Sequence, residues 1–187
     1  MVVATARAAG FVVRGIVDDD EARWGGELLG VRVSGPTAPV LADADAVVVL
    51  AIGNNAARRA LARTARCQMV SLIHPTAVVE PSVRLGAGSV VFAGAVIQPD
   101  AVIGGHAIVN TGASIDHDCV LGEAVHCAPG SRLAGNVTLG DEVFLGIGAV
   151  VIPGVTIGAR AVVGAGAAVV GDLAAGVTAV GVPARPR

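Results

Sequence analysis

The sequence predicts a small Rossmann-like α/β domain without its first strand, followed by a parallel β-helix of hexapeptide repeats. The boundaries fall at residues 1–72 and 73–170, with a tail at 171–187. Three observations carry this: a six-residue period through the second half, strand–helix alternation in the first seventy residues, and a composition poor in aromatics but rich in glycine.

The composition excludes several classes. Of the 187 residues, 15% are charged and 53% hydrophobic, against roughly 25% and 45–50% in an average soluble protein. Mean hydropathy is +0.72. Yet the most apolar stretches, Ala46–Ile52 and Ala161–Val170, are short or broken by Gly, whereas a spanning helix needs about 18–20 apolar residues. No basic start followed by an apolar region marks a secretion signal, so the expectation is a cytoplasmic protein with no membrane insertion. The formal net charge of −2 argues against nucleic-acid binding by bulk charge. Aromatics are 2% and glycines number 26, so the core must be narrow and filled by Val, Ile, Leu and Ala. The three cysteines, Cys67, Cys119 and Cys127, match no zinc spacing and are read as reduced thiols.

The repeat appears on stepping by six from Ile73 to Val169. Sixteen of the seventeen positions reached are Val, Ile or Leu, and the other is Cys127. Two residues earlier stands a mostly small or β-branched residue, such as Ala77, Val83, Ser89, Ala95 or Ala101. Gly often follows, as at Gly86, Gly104, Gly122 and Gly140. A period of six fits neither a helix nor an alternating strand. It fits a hexapeptide β-helix, each hexad one short strand and turn. The key aliphatic points inward, the small residue fits beside it, and Gly is expected to supply special turn angles. Three hexads make one triangular coil, so residues 18 apart stack at about 4.8 Å. Residues 73–170 then give about five coils.

The first seventy residues differ. Residues 2–9 read as a helix ending at Gly10, a C-cap. Phe11–Val17 reads as a strand closed by Asp18, Asp19 and Asp20. Ala46–Ile52 is a continuous apolar strand of the kind found in parallel sheets. Gly53-Asn54-Asn55 turns into a helix through about Arg66, with Asn54 or Asn55 a candidate N-cap. Met69–Ile73 is a short strand, and His74-Pro75 breaks into the repeat. Ligands of such sheets lie at the carboxyl ends of strands, where Asp18–Asp20 and Gly53–Asn55 fall. A chain of this kind is expected to open with a strand and a Gly-rich turn, whereas Met1 falls on the first helix.

VDDD at 17–20, AIGNN at 51–55, LIHPTA at 72–77, IVNTGASIDHDCVLGEAVHCAPGSRLAGNVTLG at 108–140 and VGVPA at 180–184 together resemble one family. It is the bacterial sugar acetyltransferases of the sialic-acid O-acetyltransferase type, which include nucleotide-sugar N-acetyltransferases acting on 4-amino sugars. The resemblance implies a left-handed β-helix, a homotrimer, acetyl-CoA as donor, and an N-terminal domain that holds the acceptor's nucleotide. Members of this family begin with a strand and a glycine-rich loop that helps bind the acceptor; this sequence has neither.

Acetyl transfer from a thioester needs a base for the acceptor's proton and a donor for the oxyanion. His117 lies two residues after key position Ile115, and Gly135 two after Leu133. The two are 18 apart and should stack, bringing a bare backbone N–H beside the imidazole. Asp118 is placed to orient His117; in the family a carboxylate follows the catalytic histidine. His126 lies half a coil out of phase, so it shares a site with His117 only across a subunit interface, and the resemblance implies that it contacts acetyl-CoA. The resemblance also brings Asn110 near the reacting groups and the backbone at Ile147 and Ala165 to the coenzyme; an asparagine serving only a turn is the alternative for Asn110. Asp18 and Asp19 are candidates for the acceptor's base or ribose, or else a solvated acidic turn. Gly53-Asn54-Asn55 with Arg58 offer a diphosphate cradle at a helix N-terminus, or an ordinary cap and a surface arginine. His74 reads as structural and His106 as solvated. Cys119 and Cys127 occupy inward positions of the repeat while His117 points elsewhere, so no metal site is expected. The expected reaction is direct N-acetylation of a nucleotide-linked amino sugar. O-acetylation of a sugar such as sialic acid and a non-catalytic trimeric scaffold are the rivals.

Overall fold

A computed structural model describes residues 1–187. Helix α1 (Val2–Ala8) opens the chain. It ends as a Schellman turn: Gly10 adopts φ +85, its N–H donates to Arg7 O, and the N–H of Phe11 donates to Ala6 O. Only glycine takes that angle without a Cβ penalty. The segment expected as a strand at Phe11–Val17 pairs over a single bridge, Ile16 to Val33. Beyond the bridge the N–H of Asp18 donates to Gly35 O, out of register, and Asp20 then caps the 3-10 turn Glu21–Arg23. A hairpin of Glu27–Leu28 and Val31–Arg32 follows, then α2 (Ala38–Ala42).

Strand Val47–Val48 pairs in parallel with Gln68–Met69, and α3 (Asn55–Thr64) crosses between them. Asn54 is the N-cap of α3, its side chain accepting the N–H of Ala57 at 2.9 Å. This is one β–α–β unit, with strands of two residues rather than the seven read at Ala46–Ile52.

From Leu72 onward the chain is a three-sided parallel β-solenoid. Each hexad contributes a two-residue strand that pairs with the strands 18 residues away, as in Ile97–Ile115–Leu133. The ladders hold five, six and eight strands. Twenty-nine buried residues form one continuous core, key aliphatics alternating with corner residues such as Ala95, Ala101 and Ala113, all 0% exposed. Ile73, read as inward, is 40% exposed, because no coil lies beneath it. At the other end the stack runs past residue 170: Leu173 bridges to Ile157 and Ala179 pairs with Val163. These pairs are 16 apart, so the strict period ends before the solenoid does.

The glycines divide into two kinds, which corrects the expectation that those after the key positions supply special angles. Positive φ occurs three residues after the key position: Gly88, Gly94, Asp100, His106, Gly112, Asp118, Ala124, Gly130, Asn136, Glu142 and Gly148 all show it. Gly104, directly after a key position, has no positive φ. It is needed because a Cβ there would lie 2.6 Å from the carbonyl of Gly122 in the next coil.

The N-terminal segment covers the eight-stranded face. Leu72, Val90 and Ile108 point outward there but are buried with Ala6 and Phe92 in a second small core.

Candidate active site

His117 stands on the outer corner between the strands Ser114–Ile115 and Val120–Leu121. Its ring lies against Gly135, where a Cβ would come within 2.6 Å of both Cε1 and Nε2. The N–H of Gly135 has no hydrogen-bond partner in the chain, although its carbonyl accepts from Gly154. Asp118 adopts φ +57, and its Oδ2 lies 2.8 Å from His117 Nδ1. A carboxylate can only accept, so Nδ1 carries the proton and the lone pair is on Nε2, beside Gly135. Asp116 Oδ1 accepts the backbone N–H of His117 at 2.8 Å. The hydrogen bond to Asp118, with the negative field of Asp116, raises the His117 pKa above its ordinary value. The result is an exposed, oriented imidazole next to a free backbone donor, a pairing able to take a proton and hold an oxyanion.

Cys119, two residues on, is 0% exposed. Its thiol sits 3.2 Å from Ala134 O, and burial pushes its pKa up. It is not an activated nucleophile. Cys127 is buried as well.

His126 lies on the eight-stranded face, a different side of the solenoid from His117. Asn110 Oδ1 accepts from the Thr111 N–H at 2.8 Å, which turns its Nδ2 toward His126 Nε2 at 3.2 Å. His126 therefore accepts at Nε2 and carries its proton on Nδ1. Phe144, one coil on, packs edge-on against the ring with centroids 5.2 Å apart. Burial, assisted by the Arg58 charge, lowers the His126 pKa to about 4, and the Gly53 backbone works the other way. Gly53 is near, yet Nδ1 is left buried without a hydrogen bond. His126 is thus a neutral imidazole with an unspent N–H.

Ile147 and Ala165 stand one above the other on the corner after this face. Ile147 is 63% exposed. Its carbonyl is taken by Gly166, but the N–H groups of Ile147 and Ala165 are unpartnered. A groove of about 300 Å³ lies beside His126, walled by Gly53, Asn54, Asn55, Phe144, Arg160 and Val162.

The N-terminal candidates are placed as follows. Asp18 pairs with Arg23 at 3.1 Å and accepts from the N–H of Asp20. Asp19 accepts from both N–H and hydroxyl of Thr37 and borders a hollow of about 390 Å³ between α2 and α3. Gly53 and Asn54 line the groove described above. Arg58 departs from expectation. It is 1% exposed, and its guanidinium is spent on the carbonyls of Ile52, His106 and Ala124. With the further bonds to Gly53 O and Asn55 Oδ1, all five guanidinium hydrogens are engaged, and none is left to cradle a diphosphate.

Sequence reasoning missed Phe144 and the contacts that Asn55 and Arg59 make with the solenoid. Phe144 is 18 residues after His126 and could have been found by the same arithmetic. Asn55 donates to the carbonyls of Glu142 and Val143. Arg59 pairs with Glu123, Asp141 and Glu142. Nothing in the helical pattern signals either contact. No group of three or more His, Cys, Asp or Glu side chains is gathered to hold a metal ion, and no helix is long and apolar enough to cross a membrane.

The family model for bacterial transferase hexapeptide repeats (six repeats) matches residues 136–171. A comparison with curated proteins finds no match. Among solved structures, the chain is similar to a single-histidine variant of perosamine N-acetyltransferase from Caulobacter crescentus in complex with CoA and GDP-perosamine. Identity is 48% and the TM-score 0.92, over all of this chain and 90% of that one. It is also similar to the acetyltransferase domain of PglB from Neisseria gonorrhoeae FA1090 in complex with acetyl coenzyme A, at 39% identity and TM-score 0.93 over 100% and 92%. WeeI from Acinetobacter baumannii AYE matches at 27% identity and TM-score 0.87, over 100% and 92%. With its hexapeptide repeat and 48% identity to the Caulobacter enzyme over its whole length, the chain belongs to the hexapeptide-repeat sugar N-acetyltransferase family.

Proposed function

We propose that this chain transfers the acetyl group of acetyl-CoA to the amino group of a nucleotide-linked amino sugar. The carrying observation is the stacking of His117 on Gly135. It sets a proton acceptor at Nε2 beside a free N–H in a family whose members bind CoA and GDP-perosamine. The acceptor nitrogen attacks the thioester carbonyl carbon and a C–N bond forms. The nitrogen's proton passes to His117 Nε2, while the Gly135 N–H holds the oxyanion. The C–S bond then breaks, and coenzyme A leaves as the thiol with the proton His117 received. Asp118 keeps Nδ1 protonated throughout.

His126, Asn110 and the free N–H groups of Ile147 and Ala165 hold the coenzyme. Because His117 and His126 lie on different sides of one solenoid, a complete site is assembled between neighbouring subunits of a homotrimer of left-handed β-helices. The β–α–β unit at Val47–Met69 belongs to a Rossmann-like acceptor domain, with Asp18 and Asp19 toward the nucleotide, while Gly53 and Asn54 wall the coenzyme groove. The proposed compartment is the cytoplasm, which holds the acetyl-CoA pool.

Thiol release from acetyl-CoA, with mass analysis of the product, tests this on a panel of acceptors. GDP-perosamine and other nucleotide 4-amino sugars should give an N-acetylated product. A product formed only from sialic acid would replace N- by O-acetylation. Binding of CoA with no transfer to any sugar would point to a scaffold.

A further inference from the structure

The transfer chemistry leaves one buried charge without a task. Arg58 sits on the first turns of α3 and is 1% exposed, yet no carboxylate pairs with it. Its Nε donates to His106 O at 2.7 Å and Nη1 to Ile52 O at 2.8 Å. Nη2 donates to Asn55 Oδ1 at 2.9 Å and to Ala124 O at 2.7 Å. Burial lowers its pKa to about 10, so it remains charged at neutral pH. A buried charge is costly to desolvate, and an apolar residue of the same volume often serves stability as well or better. What an apolar side chain cannot do is bond to several carbonyls at fixed angles.

The carbonyls belong to three separate segments. Ile52 lies in the loop before α3. His106 and Ala124 are 18 residues apart, on one corner of successive coils. Ala124 stands two residues before the strand His126–Cys127, and Gly53 adjoins His126. The planar fork of guanidinium donors spans this arrangement; the single ammonium of lysine does not. Asn55 fastens the same turn one coil further on, at Glu142 O and Val143 O.

We infer that Arg58 is a positioning residue: it fixes the Ile52–Asn55 loop on the corner at His106 and Ala124, and so sets the wall that Gly53, Asn54 and Asn55 give to the groove beside Phe144. This rests on the reading that the groove at His126 takes coenzyme A. A residue serving stability alone would move only the melting temperature; a positioning residue also moves coenzyme affinity.

The test compares the wild type with Arg58→Lys, each verified as folded by circular dichroism, in CoA calorimetry and steady-state kinetics. The expected result is a Kd for CoA and a KM for acetyl-CoA raised about tenfold or more, the scale of losing hydrogen bonds to a charged group. At saturating acetyl-CoA, kcat should stay within about threefold, the pattern of lost uniform binding. Unchanged Kd and KM beside a lowered melting temperature would overturn the inference. If Arg58→Lys does not fold, Asn55→Ala loosens the same turn from its other end. It should raise Kd in the same direction by less, and an unchanged Kd overturns the inference equally. A wild type that binds no CoA overturns the coenzyme reading and this inference together; a wild type that binds CoA no better than folded Arg58→Lys overturns this inference alone.

Discussion

At the scale of single residues, the backbone does much of the positioning. Asp118 faces His117 because it occupies the left-handed corner of its hexad, at φ +57. Asn is among the few residues that enter that region readily, so Asp118→Asn should keep the turn while removing the charge. The base must be unprotonated to work, so kcat/KM falls as pH drops through the His117 pKa. Since Asp118 raises that pKa, its loss should move the acid limb of the pH profile to lower pH. A limb that stays in place or moves up would contradict the hydrogen bond between Asp118 and His117. The same arithmetic that stacks His117 on Gly135 was legible in the sequence, because a period of 18 fixes vertical neighbours. Arg58 was not legible: spacing places it on a helix but cannot tell which surface covers that helix. Its burial depends on where α3 lands on the solenoid.

At the scale of elements, the hexad has two glycine requirements of different physical origin. Gly94 has φ +67 and open space around its missing Cβ; it is there for the angle. Gly104 is there for the close approach of Gly122. Gly94→Asn should therefore lower stability by no more than about 1 kcal/mol, since Asn tolerates left-handed backbone. Gly104→Ala should cost about 1–3 kcal/mol, as overpacking against a rigid neighbour does. Denaturant unfolding monitored by circular dichroism ranks the pair; a larger loss for Gly94→Asn would reverse the assignment. The six-residue period made the strands and their register readable, and the two glycines differ in phase, three residues and one residue after a key position. Which need each phase serves, angle or clearance, shows only in the structure. The short N-terminal strands were read too long for a related reason. Apolar runs such as Ala46–Ile52 suggest a long buried strand, yet only Leu50 of that run is buried, and Val47 is 61% exposed.

At the scale of the whole molecule, the solenoid leaves apolar side chains in the open. Val120, Val150, Ile152 and Val170 are 39–46% exposed on the two faces the N-terminal segment does not cover. Scattered exposed aliphatics are ordinary, but here they flank the His117 corner, while His126 lies on another side of the same chain. Light scattering at micromolar concentration should find a trimer, and a stable monomer would leave His117 and His126 without a shared site. The extent of the stack shows the limit of reading by period. Leu173 and Ala179 continue it with 16-residue spacing, which a strict step of six passes over.

The central claim is that His117 takes the proton of an acceptor amine. Steady-state turnover of His117→Ala, on a nucleotide amino sugar that the wild type acetylates, tests it most directly. The side chain lies outside the coil, so fold and CoA affinity should be retained while kcat falls by roughly 10²–10⁴-fold, the usual worth of a positioned general base. Turnover near that of the wild type would contradict the claim.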